Sequence, residues 1–279
     1  MLNIKQKKEK KMKKITKNQL INILILFFFV LTAVFEFVPI QFSKNEVHDR
    51  FLSKIVPLTF GIVAVYLLLY NNQAKVFSKP QKLLYFLPCL VVAVNNFPFF
   101  SYFSGNMQIL HTKFLDVFLF IVNCIAVGFF EEGVFRGILI PVLAGFFPKN
   151  KKGLWLTLIA SSAIFGGIHL FNLAYGAGFV PTILQVGYSF LTGGMFAFVL
   201  IKTKNLLLCA VTHAIYNAAG LLCSAEGLGA GVVFDLPTGL CMGIVAVIVF
   251  VFVLGCVHKY SQEEQDELYQ KLGFGLEKK

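Results

Sequence analysis

Residues 117–136 read VFLFIVNCIAVGFFEEGVFR, and this stretch decides the fold. An apolar run ends in two adjacent carboxylates, Glu131 and Glu132, and Arg136 follows four residues after the second. Ionised groups inside a bilayer are costly, so they are retained where they are paired, reached by water or functional. The stretch therefore predicts a membrane helix that carries a reaction site or an ion path.

The composition extends this interpretation to the whole chain. Hydrophobic residues make up 57% of the 279 residues, the mean hydropathy is +0.75, and only 14% of residues are charged. A soluble domain carries about a quarter charged residues. The net charge of +11 is concentrated at the ends of apolar segments and in the N-terminal tail. That distribution predicts contact with a lipid bilayer and no nucleic-acid partner.

Apolar segments of about 20 residues are long enough to cross a membrane as helices. The first follows a basic tail, as in a signal peptide, but it is too long and no small-residue cleavage site follows it. We therefore expect it to be a retained helix. The sequence predicts an all-α polytopic membrane protein with about eight transmembrane helices, at 20–40, 55–71, 83–103, 115–136, 154–172, 181–201, 206–223 and 236–257.

Lysine and arginine counts predict the orientation of these helices. With the N-terminus inside, the inside segments hold 20 of the 25 basic residues, the outside loops hold four, and Arg136 lies within the membrane. Both termini are therefore expected in the cytoplasm, and the compact chain favours a bacterial inner membrane. The predicted organisation is a basic tail at 1–19, an eight-helix transmembrane domain at 20–257 and a polar tail at 258–279.

Two further patterns concern chain geometry. The fourth apolar stretch continues beyond Arg136 but contains Gly137, Pro141 and Gly145, which predicts a break followed by a short interfacial segment. The six cysteines lie in or beside apolar segments and form no CxxC pair. Neither a disulfide framework nor a zinc ribbon is expected.

Helical spacing organises the polar residues of the fourth helix. Glu132 and Arg136 are four residues apart, which places them on one helix face as a potential ion pair. Glu131 is rotated by about 100° from Glu132 and shares its face with Phe135. The simplest arrangement pairs Arg136 with Glu132 and leaves Glu131 free for chemistry, although both carboxylates can reach one guanidinium.

The fifth and seventh predicted helices repeat the four-residue spacing. Phe165 precedes His169, and His213 precedes Asn217. Helices 4, 5 and 7 can close around one cavity that holds these residues and Glu131. A carboxylate and an imidazole together can bind and deprotonate a water molecule. A second imidazole and an amide can donate hydrogen bonds to the oxyanion formed when that water attacks an amide carbonyl.

These residues make the chain resemble a known family, the membrane-embedded glutamic proteases of the CAAX-protease and bacteriocin-processing (Abi, CPBP) family. The resemblance covers roughly 115–223, and the earlier helices match in layout alone. Three motifs mark the family, and all occur here in order, as Glu131-Glu132 with Arg136, Phe165 with His169, and His213 with Asn217.

The resemblance implies a role for each motif residue. Glu131 would be the general base that activates water, and His169 would help to position that water. His213 and Asn217 would form the oxyanion hole, with Glu132 and Arg136 supporting the site. No metal or other cofactor is implied. The expected partner is a membrane-associated peptide or protein, such as a lipidated C-terminus or a bacteriocin-like leader peptide; the sequence predicts no oligomeric state.

Several other residues have simpler interpretations. Phe135 and Phe165 are expected to pack, and the paired glycines are expected to allow close helix contact. Asn95 and Asn96 either line the cavity or join neighbouring helices. Counting along straight helices places His169 nearer the outer membrane surface than Glu131, so a tilted, offset or broken helix is needed to bring them together.

Two alternative functions use the same residues. Glu131, His169 and His213 could bind zinc with a water in the open position, although the sequence lacks the His-Glu-x-x-His signature. Intramembrane glutamate, histidine and arginine also suit a proton-coupled transporter or an immunity protein that binds a toxin. No internal repeat of the kind that marks many transporters is evident.

Overall fold

The protein is described by a computed structural model that covers residues 16–38, 40–231 and 235–271. The basic N-terminal tail and the last eight residues lie almost wholly outside these ranges. The helices are α1 Lys17–Phe37, α2 Glu46–Asn71, α3 Phe86–Asn95, α4 Phe99–Phe103, α5 Phe114–Glu132, α6 Ile140–Phe146, α7 Lys151–Gly167, α8 Phe179–Thr203, α9 Leu206–Leu221, α10 Leu236–His258 and α11 Gln262–Lys271.

Short segments of other geometry complete the described chain. Leu83–Tyr85 and Ile168–Leu173 form 3-10 turns, and Gly133–Leu139 winds as a π-helix. Strands β1 (Met107–Ile109) and β2 (Gly229–Gly231) pair antiparallel, with Met107 opposite Gly231.

The predicted class is confirmed, because seven helical spans in the described ranges are long and apolar enough to cross a membrane. The seventh predicted helix corresponds to the shorter apolar helix α9. The second predicted helix begins nine residues earlier than expected, at Glu46, where the Asn45 side chain accepts hydrogen bonds from the Val47 and His48 N–H groups. Apolar content could not reveal this start, because the first turns of α2 are polar.

The predicted break after the fourth helix is wrong. One helical span of 33 residues runs from Phe114 to Phe146, and its winding widens at Gly133–Leu139 without stopping. The Ile140 N–H donates to the Phe135 carbonyl, five residues back. In a regular α-helix the Pro141 ring would collide with the carbonyl four residues before it. The wider turns directly before this proline keep the span continuous.

The centre of the bundle depends on a close contact between α5 and α9. Gly128 lies so near α9 that a Cβ atom there would stand 2.6 Å from the Ala210 carbonyl oxygen and 3.0 Å from the Ala214 nitrogen. Both are backbone atoms, which cannot rotate away. Since α5 carries the two glutamates and α9 carries His213, this contact sets the separation of the two helices that hold the site.

Substitution of Gly128 by alanine is therefore expected to force α5 and α9 apart and to lower stability by about 1–3 kcal/mol, the usual cost of overpacking. Thermal unfolding of purified protein in detergent measures the effect. Gly243 in α10 is the matched control, because a Cβ atom there meets nothing within 4 Å. Gly243→Ala should leave the midpoint unchanged or raise it. Equal losses in both variants would contradict the argument.

Segments expected on the cytoplasmic side do meet at one end of the bundle. Lys82 pairs with Glu264 of α11, and Lys204 lies 2.9 Å from Glu267. At the other end, Arg50 donates to the carbonyls of Ala225 and Gly227. These contacts fit the predicted alternation of the helices, whereas the orientation of the bundle in the membrane stays a prediction.

The polar C-terminal tail includes a helix, α11, that docks against the bundle through its acidic side chains. Partial burial alone would raise the pKa of the Glu264 carboxyl. Hydrogen bonds from the Lys82 ammonium and the Ser261 N–H, with the nearby Lys202 charge, outweigh burial and hold this pKa below its ordinary value. A depressed pKa means that the carboxylate stabilises the fold above its ordinary pKa of 4.5 and loses this effect as the pH falls further.

We expect Glu264→Gln to lower the thermal midpoint slightly at pH 7, by less than about 1 kcal/mol of stability, as for other exposed pairs. As the pH is lowered from 4.5 toward 3 the difference from wild type should shrink, because the Glu264 carboxyl takes up a proton and loses the charge that glutamine lacks. Glu263→Gln, next to it on α11, is the control and should have little effect at either pH. A Glu264→Gln deficit that persists at pH 3 would show that the charge is irrelevant to docking.

Candidate active site

The six predicted site residues lie on three parts of the bundle. Glu131 and Glu132 end α5, and Arg136 lies within the π-helical segment that follows. His169 lies in the 3-10 turn that continues α7, and α9 carries both His213 and Asn217. Their side chains differ in burial and in partners, and these differences separate their possible roles.

Glu132 and Arg136 form a fully buried ion pair. Their side chains are both 0% exposed, and Arg136 Nη1 lies 3.0 Å from Glu132 Oε1. Arg136 Nη2 also donates to the Gly193 carbonyl of α8 at 2.9 Å. The pairing predicted from the four-residue spacing is therefore present, and it connects α5 to α8.

Aromatic rings enclose the Arg136 guanidinium. Its central carbon lies 4.4 Å from the centre of the Phe165 ring and 5.3 Å from that of Phe196. Phe135 packs edge-to-face on Phe165, with ring centres 4.9 Å apart. Cation–π attraction strengthens when the cation is removed from water, as it is here. Phe135 and Phe165 thus pack, as expected, and their packing surrounds a buried charge.

Helix α8 contributes to the site in a way that the sequence did not reveal. A Cβ atom on Gly193 would stand 3.0 Å from the Phe165 ring and 3.5 Å from Arg136 Nη2, so a side chain there would press on the ring and touch the guanidinium. Phe196, one turn later, stacks on the His213 ring at 4.7 Å and 20°. The Gly193-Gly194 pair suggested close packing alone, and one phenylalanine among 32 carries no signal.

His213 lies between the two glutamates. Its Nδ1 is 2.8 Å from Glu132 Oε1, within hydrogen-bond distance, and its Nε2 is 3.8 Å from Glu131 Oε2. The imidazole is buried, with 5% of the residue exposed. Glu132 thus fixes the ring orientation and turns the second nitrogen toward Glu131.

The two glutamates differ sharply in access. The Glu131 side chain is 30% exposed, whereas that of Glu132 is 0% exposed and already paired with both Arg136 and His213. A water molecule can reach Glu131 only. The gap of 3.8 Å between Glu131 Oε2 and His213 Nε2 is too long for a direct hydrogen bond. It suits a water that bonds to both atoms.

His169 is connected to this group through Phe165. Its Nδ1 lies 3.1 Å from the Phe165 carbonyl oxygen. The Phe165 ring meets both histidine rings edge-on, at 5.7 Å for His169 and 5.9 Å for His213. Phe165 thus lies between the two imidazoles and packs on Arg136, so it connects His169 to the group that surrounds Glu132.

Asn217 lies one turn beyond His213 and is half-buried. Within the described ranges its side chain makes no hydrogen bond, so its amide stays available to a ligand. By contrast, Asn96 donates to the Tyr216 carbonyl at 2.8 Å, and the Cys241 thiol lies 3.6 Å from Asn95 Oδ1. These two asparagines join helices, which is one of the two roles expected for them.

The zinc alternative receives no support from this geometry. Among the described residues, no three histidine, cysteine, aspartate or glutamate side chains come together as a group that could hold a metal ion. Glu131, His169 and His213 therefore do not fit a three-ligand zinc site as they are placed. All six cysteines are free thiols.

The helices and the buried polar group define a polytopic all-α membrane protein with a carboxylate–imidazole site among its helices. Residues 113–219 match the family model described as type II CAAX prenyl endopeptidase Rce1-like. This match confirms the resemblance to the CAAX-protease family, and the matched segment contains all six site residues. It supports a membrane CAAX endopeptidase. No curated protein and no solved structure matches the chain.

Proposed function

We propose that this protein is a glutamic-type endopeptidase that cleaves a membrane-associated or lipidated peptide with water activated by Glu131. The observation that carries the proposal is the contrast between the two carboxylates. Glu132 is fully buried in an ion pair with Arg136, whereas Glu131 is open to water, with its Oε2 3.8 Å from His213 Nε2. The match to a CAAX endopeptidase family over 113–219 supports the same reaction class.

In the proposed reaction, Glu131 takes a proton from a bound water, and the resulting hydroxide attacks the carbonyl carbon of the scissile amide. His169 helps to position that water. The carbonyl oxygen becomes an oxyanion, which accepts hydrogen bonds from His213 Nε2 and the Asn217 amide. Glu131 then returns its proton to the leaving nitrogen as the C–N bond breaks.

The charges of Glu131, Glu132, Arg136 and His213 suit this division of roles. Glu131 and Glu132 carry two negative charges, and Arg136 carries one positive charge. An imidazolium at His213 would make the group neutral, which matters because unbalanced charge is costly in a membrane interior. With Nδ1–H donated to Glu132, the Nε2–H of that imidazolium would be free to serve the oxyanion.

The test compares purified wild type with Glu131→Gln in detergent. Both are incubated with prenylated C-terminal peptides, membrane-inserted peptides and leader-type peptides, with and without a chelator, and mass spectrometry identifies the products. New peptide termini with wild type only, unchanged by chelator, are the expected result. Cleavage that the chelator abolishes would assign a metalloenzyme, and absence of cleavage by folded wild type across all three peptide classes would count against an endopeptidase.

A further inference from the structure

A second carboxylate shares a cavity with Glu131. The cavity, of about 390 Å³, lies between α1, α2 and α5. Glu36 of α1 and Glu131 of α5 are the two titratable residues that line it, and the remaining lining residues are uncharged. The cavity therefore leads from the α1 side of the bundle to the carboxylate proposed to activate water.

The sequence of α1 explains why Glu36 faces this space. Phe29, Thr32, Ala33 and Glu36 all line the cavity. Thr32 and Ala33 lie three and four residues after Phe29, and Glu36 lies four and three residues after them. Residues at this spacing form one stripe of a helix. One face of α1 thus presents the Glu36 carboxylate beside side chains that are mostly apolar.

Glu36 has no cation beside it. Over residues 16–38, 40–231 and 235–271, its carboxylate makes no ion pair within 4 Å, whereas Glu132 and Glu264 each have a basic partner. Glu131 has only His213, at 3.8 Å. Glu36 is exposed and Glu131 is 30% exposed, so both carboxylates are accessible from the cavity. Two negative charges that line one cavity repel each other, and a cation bound in the cavity relieves that repulsion.

The cavity wall also restricts the shape of a suitable cation. Apolar side chains such as Phe29, Leu58 and Phe130 surround most of the space. A lysine side chain, or an arginine, buries an aliphatic stem against such a wall and extends its charge to a polar group. A small hydrated ion would not be stabilised by these apolar contacts.

We propose that Glu36 is a specificity-determining residue that binds a lysine or arginine side chain of the substrate near the scissile bond. The inference deepens the proposed function and rests on it, because the cavity matters for specificity only if Glu131 acts on a peptide. Glu36 would hold the basic side chain while the adjoining backbone lies against Glu131.

The experiment uses pairs of cleaved peptides that differ at one position, which is lysine in one peptide and norleucine in the other. Scanning this position along the peptide locates the preference. Wild type should favour lysine in kcat/KM by about three- to fivefold, the order expected for one partly exposed ion pair. Glu36→Gln should bring the ratio near one, and Glu36→Lys should favour a glutamate-bearing peptide instead. Glu46→Gln, an exposed carboxylate outside the cavity, should keep the wild-type ratio.

Equal lysine preference in wild type and Glu36→Gln would overturn the inference while leaving the endopeptidase proposal intact. If wild type cleaved no peptide, the endopeptidase proposal would fail separately. Binding would then decide the role of Glu36, through photocrosslinking of the same peptides to benzoylphenylalanine placed at Thr32. Stronger capture of the lysine peptide that disappears in Glu36→Gln would support recognition, and equal capture would refute it.

Discussion

Glu131→Gln is expected to lower kcat by about two to four orders of magnitude, the usual contribution of a general base. The amide has nearly the shape of the carboxylate but cannot take a proton from water. Since the Glu131 side chain is 30% exposed and makes no close hydrogen bond, the thermal midpoint should stay near the wild-type value. Initial rates under saturating peptide and a detergent melting curve give both quantities.

Glu226→Gln, in the exposed loop after α9, is the matched control for loss of one carboxylate and should retain wild-type kcat. A Glu131→Gln enzyme that kept more than about a tenth of the wild-type rate would exclude Glu131 as the base. In that case His169 would be the next residue to replace, because it is the other imidazole among the predicted site residues.

Arg136→Met is expected to cause the largest loss of stability, about 3–5 kcal/mol, because it leaves the buried Glu132 carboxylate without its cation. Methionine fills a similar volume, so the loss would reflect charge more than a cavity. Arg136→Lys keeps the charge but lacks the planar fork that reaches both Glu132 and the Gly193 carbonyl, and it should lose part of the stability.

The double variant Glu132→Leu/Arg136→Met separates pairing from packing. Removing both charges leaves no ion unpaired, so much of the lost stability should return, as for other buried pairs replaced by apolar residues. Activity should not return, because His213 would lose the acceptor that orients its ring. Thermal unfolding and peptide cleavage of the four proteins make the measurement. A double variant as unstable as Arg136→Met would contradict the ion-pair argument.

Much of the helical layout followed from the sequence, because hydropathy reports directly which segments are soluble in lipid. The Glu132–Arg136 pair followed from helical spacing, since residues four apart lie on one face. Hydropathy does not report how a helix is wound, however, and the proline and glycines after Arg136 predicted a break where Pro141 is accommodated by π-helical turns. It also cannot indicate which helices become neighbours.

The contribution of α8 illustrates the second limit. Gly193 matters because its carbonyl accepts from Arg136 and its missing side chain makes room for Phe165. Neither property can be predicted from the residues around Gly193, because both depend on contacts with Arg136 and Phe165, which lie far from Gly193 in the chain. The cavity beside Glu36 was hidden for the same reason, as a carboxylate near a helix end is ordinarily expected to face water.

The continuous span from Phe114 to Phe146 has a mechanical consequence. Its 33 residues make a helix of about 50 Å, whereas the hydrocarbon layer of a bilayer is about 30 Å thick. A helix of this length must tilt or extend into the headgroup region. Glu131 lies about halfway along it, so a tilt about the midpoint moves the two ends of the helix and leaves this carboxylate near the centre of the layer. A change in bilayer thickness is therefore expected to alter the tilt of this helix more than the depth of Glu131.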